Sequence, residues 1–450
     1  MKSILEKILA LLAKLINRKY KPEVVGITGS LGKTSAANAI YAVLSYEYNV
    51  RQNIKNYNNE LGLPLTIISS QSGGRSIFKW LAVIFKALKL LLVKDKTFPE
   101  ILVLEMGADM RGDIDYLVNI VQPHIGVLTV ISETHLKPTN EKAKNEADWF
   151  KDIKGVLKEK QKIITRLPVN GIAVLNYDDE NVLSVKEKAR TKVITYGFGE
   201  GANVKAQELL FSGLEQDFCE TQYQWDCKTW GTNFKVTYNG STVPIFLPHC
   251  LGKGHVYAAL AAIAVGVSKG MNLVDIADGL REYRPALGRM NLIAGIKHSL
   301  IIDDTYNSPA AKSVISGLGV LKDVDLESNK KKIAVLGDML ELGEKSDAAH
   351  REVGLALAAL GINYLIAVGQ NSKITADSAI EAGLDQANVQ WFDNSQKAGR
   401  FLQDILGEGD LIFVKGSQGM RMEKVVEEIM AEPERAKELL VRQTGGWENK

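Results

Sequence analysis

Short apolar runs alternate with helical patterns of apolar and polar positions from about residue 22 to residue 285. The runs are rich in Val, Ile and Leu, as strands buried on both faces of a sheet are. Each is followed by a segment with helical spacing of its apolar residues. This alternation predicts an α/β fold in which helices cover a parallel sheet, with strands at residues 24–27, 101–105, 125–130 and 171–175.

The pattern changes between about residues 203 and 249. The run Phe-Lys-Val-Thr-Tyr at residues 234–238 alternates apolar and polar positions, and Asn-Gly follows at residues 239–240. Strict alternation that ends in Asn-Gly is typical of a β-hairpin, because both turn residues tolerate positive φ. We therefore expect a small antiparallel β region, followed by an alanine-rich helix at residues 256–267.

A second α/β pattern begins around Arg284 and Pro285. Its predicted strands lie at residues 300–303, 332–336, 364–368 and 410–414, separated by helical patterns, with a surface loop at residues 323–331. Such a pattern predicts a doubly wound, Rossmann-like domain. The expected organisation is an amphipathic helix at residues 1–21, a central domain at residues 22–285 and a C-terminal domain at residues 286–450.

Two segments combine an apolar face with several lysines. The first covers residues 1–19, and the second covers residues 77–93. Charged residues interrupt the apolar run of the first, so it is too short to span a bilayer, and it lacks the cleavage site of a signal peptide. Both segments fit helices that lie in a membrane interface, and both also fit helices packed against the protein body. The sequence leaves these alternatives open.

The charge balance limits the kinds of partner. The chain has 450 residues, with 55 Lys and Arg against 53 Asp and Glu, and therefore a net charge of +2. A nearly neutral chain offers no general electrostatic attraction for a polyanion, so we expect no nucleic-acid partner.

A glycine-rich segment joins the first predicted strand to a helix. Its sequence, Gly-Ile-Thr-Gly-Ser-Leu-Gly-Lys-Thr-Ser, occupies residues 26–35. Glycines let the backbone approach an anion, and the N–H groups at the start of the helix point at it. The spacing departs from a strict Walker A motif, since Ile27 stands where the first glycine would be. We predict phosphate contacts from Gly29, Ser30, Gly32, Lys33, Thr34 and Ser35.

Two further residues follow predicted strands. Glu105 ends an apolar strand, and a carboxylate at that position beside a phosphate-binding loop is well placed to hold Mg²⁺ together with Thr34. His135 follows the strand at residues 125–130, where it could reach another metal ion or a phosphate. Taken alone, the first fits a surface acid and the second a structural histidine, so each needs support from other segments.

Several longer segments provide that support. They are Asn-Tyr-Asn-Asn-Glu-Leu-Gly-Leu-Pro at residues 56–64, Glu-Met-Gly-Ala at 105–108, His-Leu at 135–136, Val-Leu-Asn-Tyr-Asp-Asp at 174–179, Gly-Arg at 288–289, Asp-Asp-Thr-Tyr-Asn at 303–307, Ala-Val-Leu-Gly-Asp-Met-Leu-Glu-Leu-Gly at 334–343 and Val-Lys-Gly-Ser at 414–417. In this order, and with the phosphate-binding loop, they resemble the Mur ligases, ATP-dependent enzymes that form amide bonds in cell-wall synthesis. The resemblance covers roughly residues 22–430.

The resemblance implies a ligase that adds D-alanyl-D-alanine to a UDP-muramoyl tripeptide, with ATP and Mg²⁺ as cofactors. A substrate carboxylate would attack the γ-phosphate of ATP, and an amine would then attack the acyl phosphate. The implied partners are therefore a cell-wall precursor peptide and an amino acid or dipeptide, and the implied protein is a cytoplasmic monomer. The two amphipathic segments leave open a contact with the inner face of the membrane.

Two other functions stay open at this point. One is a Mur-like ligase that uses a different, lipid-linked acceptor. The other is a non-catalytic nucleotide-binding partner in cell-wall assembly. The second would need few of the residues that the chain carries, so a catalytic role is favoured.

The resemblance also assigns roles to individual residues. For catalysis and metal binding it implies Lys33, Thr34, Glu105, His135 and a carbamylated lysine, which aligns with Lys160, with Lys162 as the alternative. For the nucleotide it implies Asn176, Asp178, His255, Arg289 and Asp304. For the substrates the candidates are Asn58, Asn59, Asn307, Lys415 and Ser417. Because Arg289 and Asp304 belong to the C-terminal domain, ATP held by two domains predicts closure of a hinge.

Two features depart from the family pattern. A separate domain that grips the UDP sugar usually precedes the phosphate-binding loop, whereas only 25 residues precede Gly26 here. We expect this grip to be missing or rebuilt, with residues 72–99 as one candidate for its replacement. In addition, the family helix that starts with His-Asn has Val256 after His255 here, and Ala259 where a second Asn is usual. Weaker ATP binding, or compensation by Asn176 and Arg289, is the expected result.

Overall fold

The computed structural model describes residues 2–53, 57–132, 150, 152–212, 230–340 and 342–443. The chain folds into two compact units. The first comprises residues 1–209, 234–246 and 254–283, and the second comprises residues 210–233, 247–253 and 284–450. Because the second unit also takes short stretches of the hairpin region, the domain boundaries inferred from the sequence stay a prediction.

The first unit is built mainly on a sheet of nine strands. In chain order the elements are α1 (Lys2–Tyr20), β1 (Glu23–Thr28), α2 (Lys33–Leu44), β2 (Val50–Gln52), α3 (Gly62–Ile68), α4 (Ile77–Leu92), β3 (Ile101–Glu105), α5 (Asp113–Ile120), β4 (Ile125–Leu128), α6 (Ile153–Lys160), α7 (Lys162–Thr165), β5 (Ile172–Asn176), α8 (Glu180–Leu183), β6 (Lys192–Gly197), β7 (Val204–Ser212), β8 (Gly231–Tyr238), β9 (Ser241–Pro248), α9 (Lys253–Ser268) and α10 (Leu273–Arg281). The strand order is β2-β3-β1-β4-β5-β6-β7-β8-β9. All pairs from β2 to β7 are parallel.

The hairpin forms where the alternating pattern predicted it. Strands β8 and β9 are neighbours in the sheet, and Asn239 and Gly240 form the turn between them. Their φ angles are 47° and 81°, and positive φ at both central residues is what a tight hairpin turn requires.

Strand β4 ends two residues earlier than the sequence predicted. The apolar pattern extends to residue 130, but the strand ends at Leu128. The reason is a different set of partners, because Val130 forms an isolated antiparallel bridge with Leu31 of the phosphate-binding loop. An apolar run predicts burial, and it does not distinguish a ladder residue from a residue that contacts a loop.

The two amphipathic segments form helices α1 and α4, as predicted. Each buries one face, and the ends of the helices are joined by hydrogen bonds from Lys19 Nζ to the carbonyl oxygen of Leu90 (2.8 Å) and from Tyr20 Oη to the carbonyl oxygen of Val93 (3.1 Å). The opposite faces carry exposed apolar side chains. No helix in the part of the chain that the structure describes is both long and apolar enough to cross a membrane.

The second unit contains a sheet of six strands with helices between them. Its elements are β10 (Asn291–Ala294), β11 (Leu300–Asp304), α11 (Ala311–Asp323), β12 (Lys332–Gly337), α12 (Ser346–Ala359), β13 (Tyr364–Val368), α13 (Ser372–Glu381), β14 (Val389–Phe392), α14 (Ser395–Ile405), β15 (Leu411–Lys415), α15 (Glu423–Ile429) and α16 (Ala436–Leu439). The order is β10-β11-β15-β12-β13-β14, and only β10 pairs antiparallel among these strands.

Both faces of this second sheet are covered. Successive residues of β12 point to opposite faces, so Ala334 and Leu336 enter one hydrophobic cluster while Ile333 and Val335 enter another. The carboxyl ends of β11 and β15 lie side by side at one edge. The prediction of an α/β fold with a parallel sheet and a second, Rossmann-like sheet is confirmed.

Candidate functional site

The phosphate-binding loop joins β1 to α2 at the carboxyl edge of the first sheet, where open α/β sheets bind their ligands. A Cβ at Gly29 would lie 1.9 Å from Oγ1 of Thr129, so only glycine fits there. Gly32 precedes α2 with φ 81°, a left-handed conformation that glycine adopts without strain. The two glycines thus allow the backbone N–H groups to converge at the start of α2.

Lys33 is the first residue of α2 and bends back over this loop. Its Nζ donates to the carbonyl oxygens of Gly29 at 2.9 Å and Ser30 at 3.3 Å. An ammonium group held over the loop is placed to neutralise phosphates that bind there. Ser35, two residues later, is buried on α2.

The loop that follows β4 holds the phosphate-binding loop in place. The N–H of Ser30 donates to the carbonyl oxygen of Val130 at 2.6 Å. Oγ1 of Thr129 donates to the carbonyl oxygen of Leu31 at 2.6 Å, and the N–H of Ser132 donates to Oγ of Ser30 at 3.1 Å. These contacts tie Ser30 and Leu31 of the loop to residues 129–132. No sequence pattern other than an apolar run predicted these contacts.

Glu105 is the centre of a buried hydrogen-bond network. Oγ1 of Thr34 donates to its Oε2 at 2.9 Å, and Nδ2 of Asn58 donates to its Oε1 at 3.0 Å. The N–H of Glu105 donates to Oδ1 of Asn53 at 2.6 Å. The carboxylate is only 4% exposed, so these partners decide its orientation.

The Thr34 and Glu105 pair fits Mg²⁺ by its chemistry. Hydroxyl and carboxylate oxygens are hard ligands, and Mg²⁺ in nucleotide sites is usually held by one or two carboxylates together with phosphate oxygens and water. Among the described residues there is no cluster of three or more His, Cys, Asp or Glu side chains that could hold a metal ion. Asn59, the neighbour of Asn58, uses its Oδ1 to accept from the N–H of Gly62 at 3.0 Å, at the start of α3.

Lys160 is a buried amine near this network. It ends α6 and is 1% exposed, and its Nζ donates to the carbonyl oxygen of Ala108 at 3.3 Å. Ala108 stands three residues after Glu105, which brings Lys160 to the same edge of the sheet. Burial, together with the positive charge of Lys33, lowers the pKa of Lys160 to about 7 against the opposing effect of nearby carboxylates. A substantial fraction of this amine is therefore neutral at neutral pH.

Lys162 has a different environment. Its Nζ forms ion pairs of 2.6 Å with both Asp115 and Glu159. Burial alone would lower the pKa of Lys162, but the hydrogen bonds to the two carboxylates raise it above its ordinary value. Since only a neutral amine can attack carbon dioxide, the environments of the two side chains favour Lys160 over Lys162 as the position of the carbamylated lysine that the resemblance implies.

A cavity of about 350 Å³ opens next to the loop that holds the phosphate-binding loop. It is lined by Val130, Ile131, Asn176, Asp178, Asp179, Glu180, Asn181 and Tyr257. Oδ2 of Asp178 accepts from Oη of Tyr257 at 2.9 Å, and Oδ1 of Asn176 accepts from the N–H of Asp178 at 3.0 Å. Asn176 and Asp178, two of the residues predicted to contact the nucleotide, therefore line one cavity next to the segment that contacts the phosphate-binding loop.

His255 lies two residues before Tyr257 on α9. It is buried, and its Nδ1 is 2.8 Å from Oη of Tyr283. This hydrogen bond joins α9 to the segment that follows α10, and His255 does not belong to the residues that line the cavity. A contact between His255 and the nucleotide stays a prediction.

In the second unit, Asp304 and Lys415 end the neighbouring strands β11 and β15 and lie opposite each other in the register. Nζ of Lys415 donates to Oδ2 of Asp304 at 2.6 Å and to the carbonyl oxygen of Asn307 at 2.9 Å. Burial raises the pKa of Asp304, while the positive charges of Lys415 and Arg289 oppose this effect. The parallel register thus places an ion pair at the carboxyl edge of the second sheet.

Asn307 and Ser417 complete this cluster. Oδ1 of Asn307 accepts from the N–H of Gln418 at 3.3 Å. Oγ of Ser417 donates to the carbonyl oxygen of Ser308 at 3.2 Å and accepts from the N–H of Leu340 at 2.9 Å. The structure therefore brings together three of the predicted substrate residues, Asn307, Lys415 and Ser417, at one edge of the sheet.

Arg289 stands beside the same cluster. Its guanidinium carbon lies 4.2 Å from the centre of the Tyr306 ring, a cation–π contact that holds the planar group in one orientation. Gly288 has φ 67°, and its carbonyl oxygen accepts from the N–H of Tyr306 at 2.9 Å. The Gly-Arg segment is thus anchored to the Asp-Asp-Thr-Tyr-Asn segment. The predicted nucleotide contacts of Arg289 and Asp304 stay predictions.

Two protein-family models match the chain. The model described as Mur ligase middle domain matches residues 85–266, and the model described as Mur ligase, glutamate ligase domain matches residues 288–418. The UDP-N-acetylmuramoyl-tripeptide--D-alanyl-D-alanine ligase of Bacillus subtilis (strain 168) is 30% identical over 423 residues, which are 94% of this chain and 79% of that protein. The chain belongs to the Mur ligase family. The resemblance inferred from the motifs is confirmed.

Other Mur ligases show similar agreement. The Escherichia coli (strain K12) ligase of the same name is 27% identical over 417 residues, 92% of this chain and 78% of that protein. A crystal structure of MurF from Acinetobacter baumannii matches with a TM-score of 0.71 and 26% identity, and the match covers 93% of this chain and 79% of that one. Membership in this family makes the chain an ATP-dependent ligase, with ATP and Mg²⁺ as its cofactors.

Sequence reasoning placed some Mur ligase residues and missed others. His135, the second predicted metal ligand, lies outside the described residues. Asn53, which fixes the backbone of Glu105, was not predicted, because a lone Asn at the end of a short strand carries no recognisable signal. Tyr257 was not predicted either, although it stands on α9, the helix that departs from the family pattern at Val256 and Ala259.

Proposed function

We propose that this Mur ligase adds D-alanyl-D-alanine to the peptide of a UDP-muramoyl tripeptide, with conversion of ATP into ADP and phosphate. The main structural support for the ATP-dependent step is the hydrogen-bonded pair of Thr34 and Glu105 beside the phosphate-binding loop. The choice of substrates rests on the relatives named above, since their similarity extends over 94% and 92% of the chain.

In the first chemical step, a carboxylate oxygen of the tripeptide attacks the γ-phosphorus, and the bond to the bridging oxygen breaks, so that ADP leaves. The loop N–H groups and Lys33 would neutralise the phosphates, because such a step needs alignment and charge stabilisation more than covalent help from the protein. Thr34 and Glu105 would hold Mg²⁺, which supplies further charge neutralisation when bound.

Lys160 is proposed to act as a carbamate. Its neutral amine would attack carbon dioxide, forming an N–C bond and releasing one proton, and the product is an anionic oxygen ligand. A pKa of about 7 makes this reaction accessible at neutral pH. With an ordinary lysine pKa near 10.5, only about one amine in a thousand would be neutral at pH 7.5.

The amine substrate is proposed to bind the cluster at the carboxyl edge of the second sheet. There the ammonium group of Lys415 could pair with the dipeptide carboxylate, and the side chains of Asn307 and Ser417 could orient it. The amine would then attack the acyl carbon, and phosphate would leave as the amide forms. We further propose that the protein acts in the cytoplasm, because ATP and nucleotide-linked precursors are intracellular small molecules, and that it is a monomer, as the resemblance implies.

The test is release of phosphate from ATP by the purified chain with Mg²⁺. We expect release only when D-alanyl-D-alanine and a UDP-muramoyl tripeptide are both present. Lys33→Ala should abolish release without changing the melting temperature, whereas Lys186→Ala, a change at an exposed lysine, should keep wild-type activity. Equal release without either substrate, or full activity of Lys33→Ala, would contradict the proposal.

A further inference from the structure

Helix α4 buries one face and exposes a second apolar face. Val83, Ala87 and Leu90 are buried against the body of the first unit. The opposite face is formed by Ile77, Phe78, Leu81, Phe85, Leu88 and Leu92, which are 72%, 84%, 56%, 72%, 44% and 84% exposed. We call these six residues the α4 face.

This arrangement is unusual for a helix in contact with water. Single exposed apolar side chains are common, but a continuous stripe marks an interaction site. The stripe extends along a helix of 16 residues, which is about 24 Å at 1.5 Å for each residue. Two of its members are phenylalanines with most of their surface exposed, so the helix needs a partner that accepts large apolar groups.

The charges around the α4 face identify that partner. Residues 72–96 contain six basic residues and one acidic residue, Asp95. Lys79, Lys86 and Lys89 lie on α4 itself and are exposed, and the helix carries no carboxylate. An apolar stripe flanked by lysines is the pattern of a helix that lies in the interface of an anionic bilayer.

Helix α1 has the same combination of an exposed apolar stripe and basic residues. Ile4, Ile8, Leu11 and Leu15 form its own exposed stripe, and residues 1–21 also contain six basic residues and one acidic residue. The two segments together therefore carry a net charge of +10, twelve basic residues less two acidic ones, whereas the whole chain carries +2. The hydrogen bonds from Lys19 and Tyr20 to the last turn of α4 join these two helices into one structural element.

We propose that the α4 face docks the enzyme onto an anionic lipid bilayer. The apolar side chains enter the headgroup region, and the flanking lysines contact the lipid phosphates. A second copy of the chain is a poorer occupant, because face-to-face contact would bring two strongly positive surfaces together. The docking is peripheral, since no described helix could cross a membrane.

Docking would also hold the hydrogen-bond network around Glu105 at a fixed distance from the membrane. The segment that leads into α4 is tied to the network, because the N–H of Ser72 donates to Oη of Tyr57 at 3.0 Å. Tyr57 precedes Asn58, whose side chain holds the carboxylate of Glu105. The docking surface and the phosphate-binding loop are therefore joined by a short, hydrogen-bonded path within the first unit.

The test is co-sedimentation of the full chain with two kinds of vesicle. One contains phosphatidylcholine alone, and the other contains equal parts of phosphatidylcholine and phosphatidylglycerol. We expect binding to the anionic vesicles at least about tenfold tighter than to the neutral ones, and weaker binding at high salt. The triple variant Phe78→Ser, Phe85→Ser, Leu92→Ser should bind the anionic vesicles at least about tenfold more weakly.

Two further variants separate the contributions. The matched control Val169→Ser, Val274→Ser, Leu355→Ser changes three apolar residues that are exposed elsewhere, and it should bind like the wild type. Lys79→Gln with Lys89→Gln should lower binding to anionic vesicles and reduce its dependence on salt. Both apolar triple variants should keep the melting temperature of the wild type, and this measurement checks that each variant is folded.

Three results would overturn the proposal. One is a wild-type chain that does not bind anionic vesicles, and another is equal binding by the α4-face variant. The third is a dimer, measured by light scattering, that the α4-face variant abolishes while vesicle binding is absent in both proteins. That last result would assign the α4 face to contact between copies of the chain.

Discussion

Lys160 creates a conflict between stability and function that can be measured. Burial holds the pKa of Lys160 at about 7 in the folded chain, against an ordinary value of 10.5. The unfolded chain keeps the ordinary value, so folding at neutral pH removes a proton or buries a charge. At about 1.4 kcal/mol for each pH unit between the two pKa values, the cost at pH 7 is about 5 kcal/mol.

Replacement of Lys160 by methionine should remove this cost, because methionine has a similar length and no charge. We expect the free energy of unfolding at pH 7 to rise by up to about 5 kcal/mol in buffers free of carbon dioxide. Between pH 7 and 10.5 the folded wild type binds fewer protons than the unfolded chain, so its stability increases with pH. The advantage of Lys160→Met should therefore shrink by about 1.4 kcal/mol for each pH unit and vanish near pH 10.5.

The assay is denaturation by urea at several pH values from 7 to 10, together with phosphate release at pH 7.5. The more stable Lys160→Met variant should be inactive as a ligase. Lys162→Met is the control, since it breaks the ion pairs with Asp115 and Glu159 and should lower stability. The explanation is wrong if the free energy of unfolding gained by Lys160→Met does not change with pH. It is also wrong if Lys162→Met shows the pH-dependent gain instead.

Three further predictions concern other polar side chains. Arg442→Ala should lower the free energy of unfolding, measured by urea denaturation, by about 3 kcal/mol, because it removes the 2.7 Å ion pair to the fully buried Glu423. Arg442→Lys should recover part of this loss. Tyr257→Phe should raise the KM for ATP about fivefold with little change in kcat, since it removes one hydrogen bond to Asp178. An unchanged KM would show that the nucleotide does not bind in this cavity. Burial raises the pKa of Asp303 from 3.8 to about 7. The buried carboxylate therefore lowers the free energy of unfolding above pH 7, whereas the protonated carboxyl group below pH 4 does not. Asp303→Asn should therefore be more stable than the wild type at pH 7.5, by up to about 4 kcal/mol, and this gain should disappear by pH 4.

Much of the fold follows from the sequence, because apolar runs of strand length are hard to place anywhere except inside a sheet. The predicted strand at residues 101–105 coincides with β3, and the one at residues 300–303 ends one residue before β11 does. The one at residues 410–414 is shifted by one residue from β15. The short strands β2, β10 and β14 were not predicted. Each has only three or four residues, too few for a period to emerge.

Within the site, the sequence predicts the phosphate-binding loop but leaves the choice between two lysines open. The Gly-Lys-Thr-Ser signature fixes the phosphate-binding loop, because its glycine positions and lysine have a direct physical role. The choice between Lys160 and Lys162 depends on which side chain is buried, and both stand in the same run of charged residues. Only the fold shows that the end of α6 buries the amine of Lys160 beside Ala108, while two carboxylates hold the amine of Lys162.

The partners of Glu105 illustrate the same limit. Thr34 and Asn58 lie 71 and 47 positions away along the chain, and their contacts with the carboxylate depend on the parallel register of β1 and β3. The motifs indicated that each residue matters, but the direct hydrogen bonds between them required the fold.

This Mur ligase is proposed to join a dipeptide to a precursor peptide through an acyl phosphate. The most direct measurement uses a UDP-muramoyl tripeptide whose terminal carboxylate is labelled with ¹⁸O, together with D-alanyl-D-alanine, ATP and Mg²⁺, and mass spectrometry of the products. We predict a pentapeptide product and one ¹⁸O atom in each released phosphate, because the attacking carboxylate oxygen stays on phosphorus. Unlabelled phosphate, or phosphate without pentapeptide, would contradict the account.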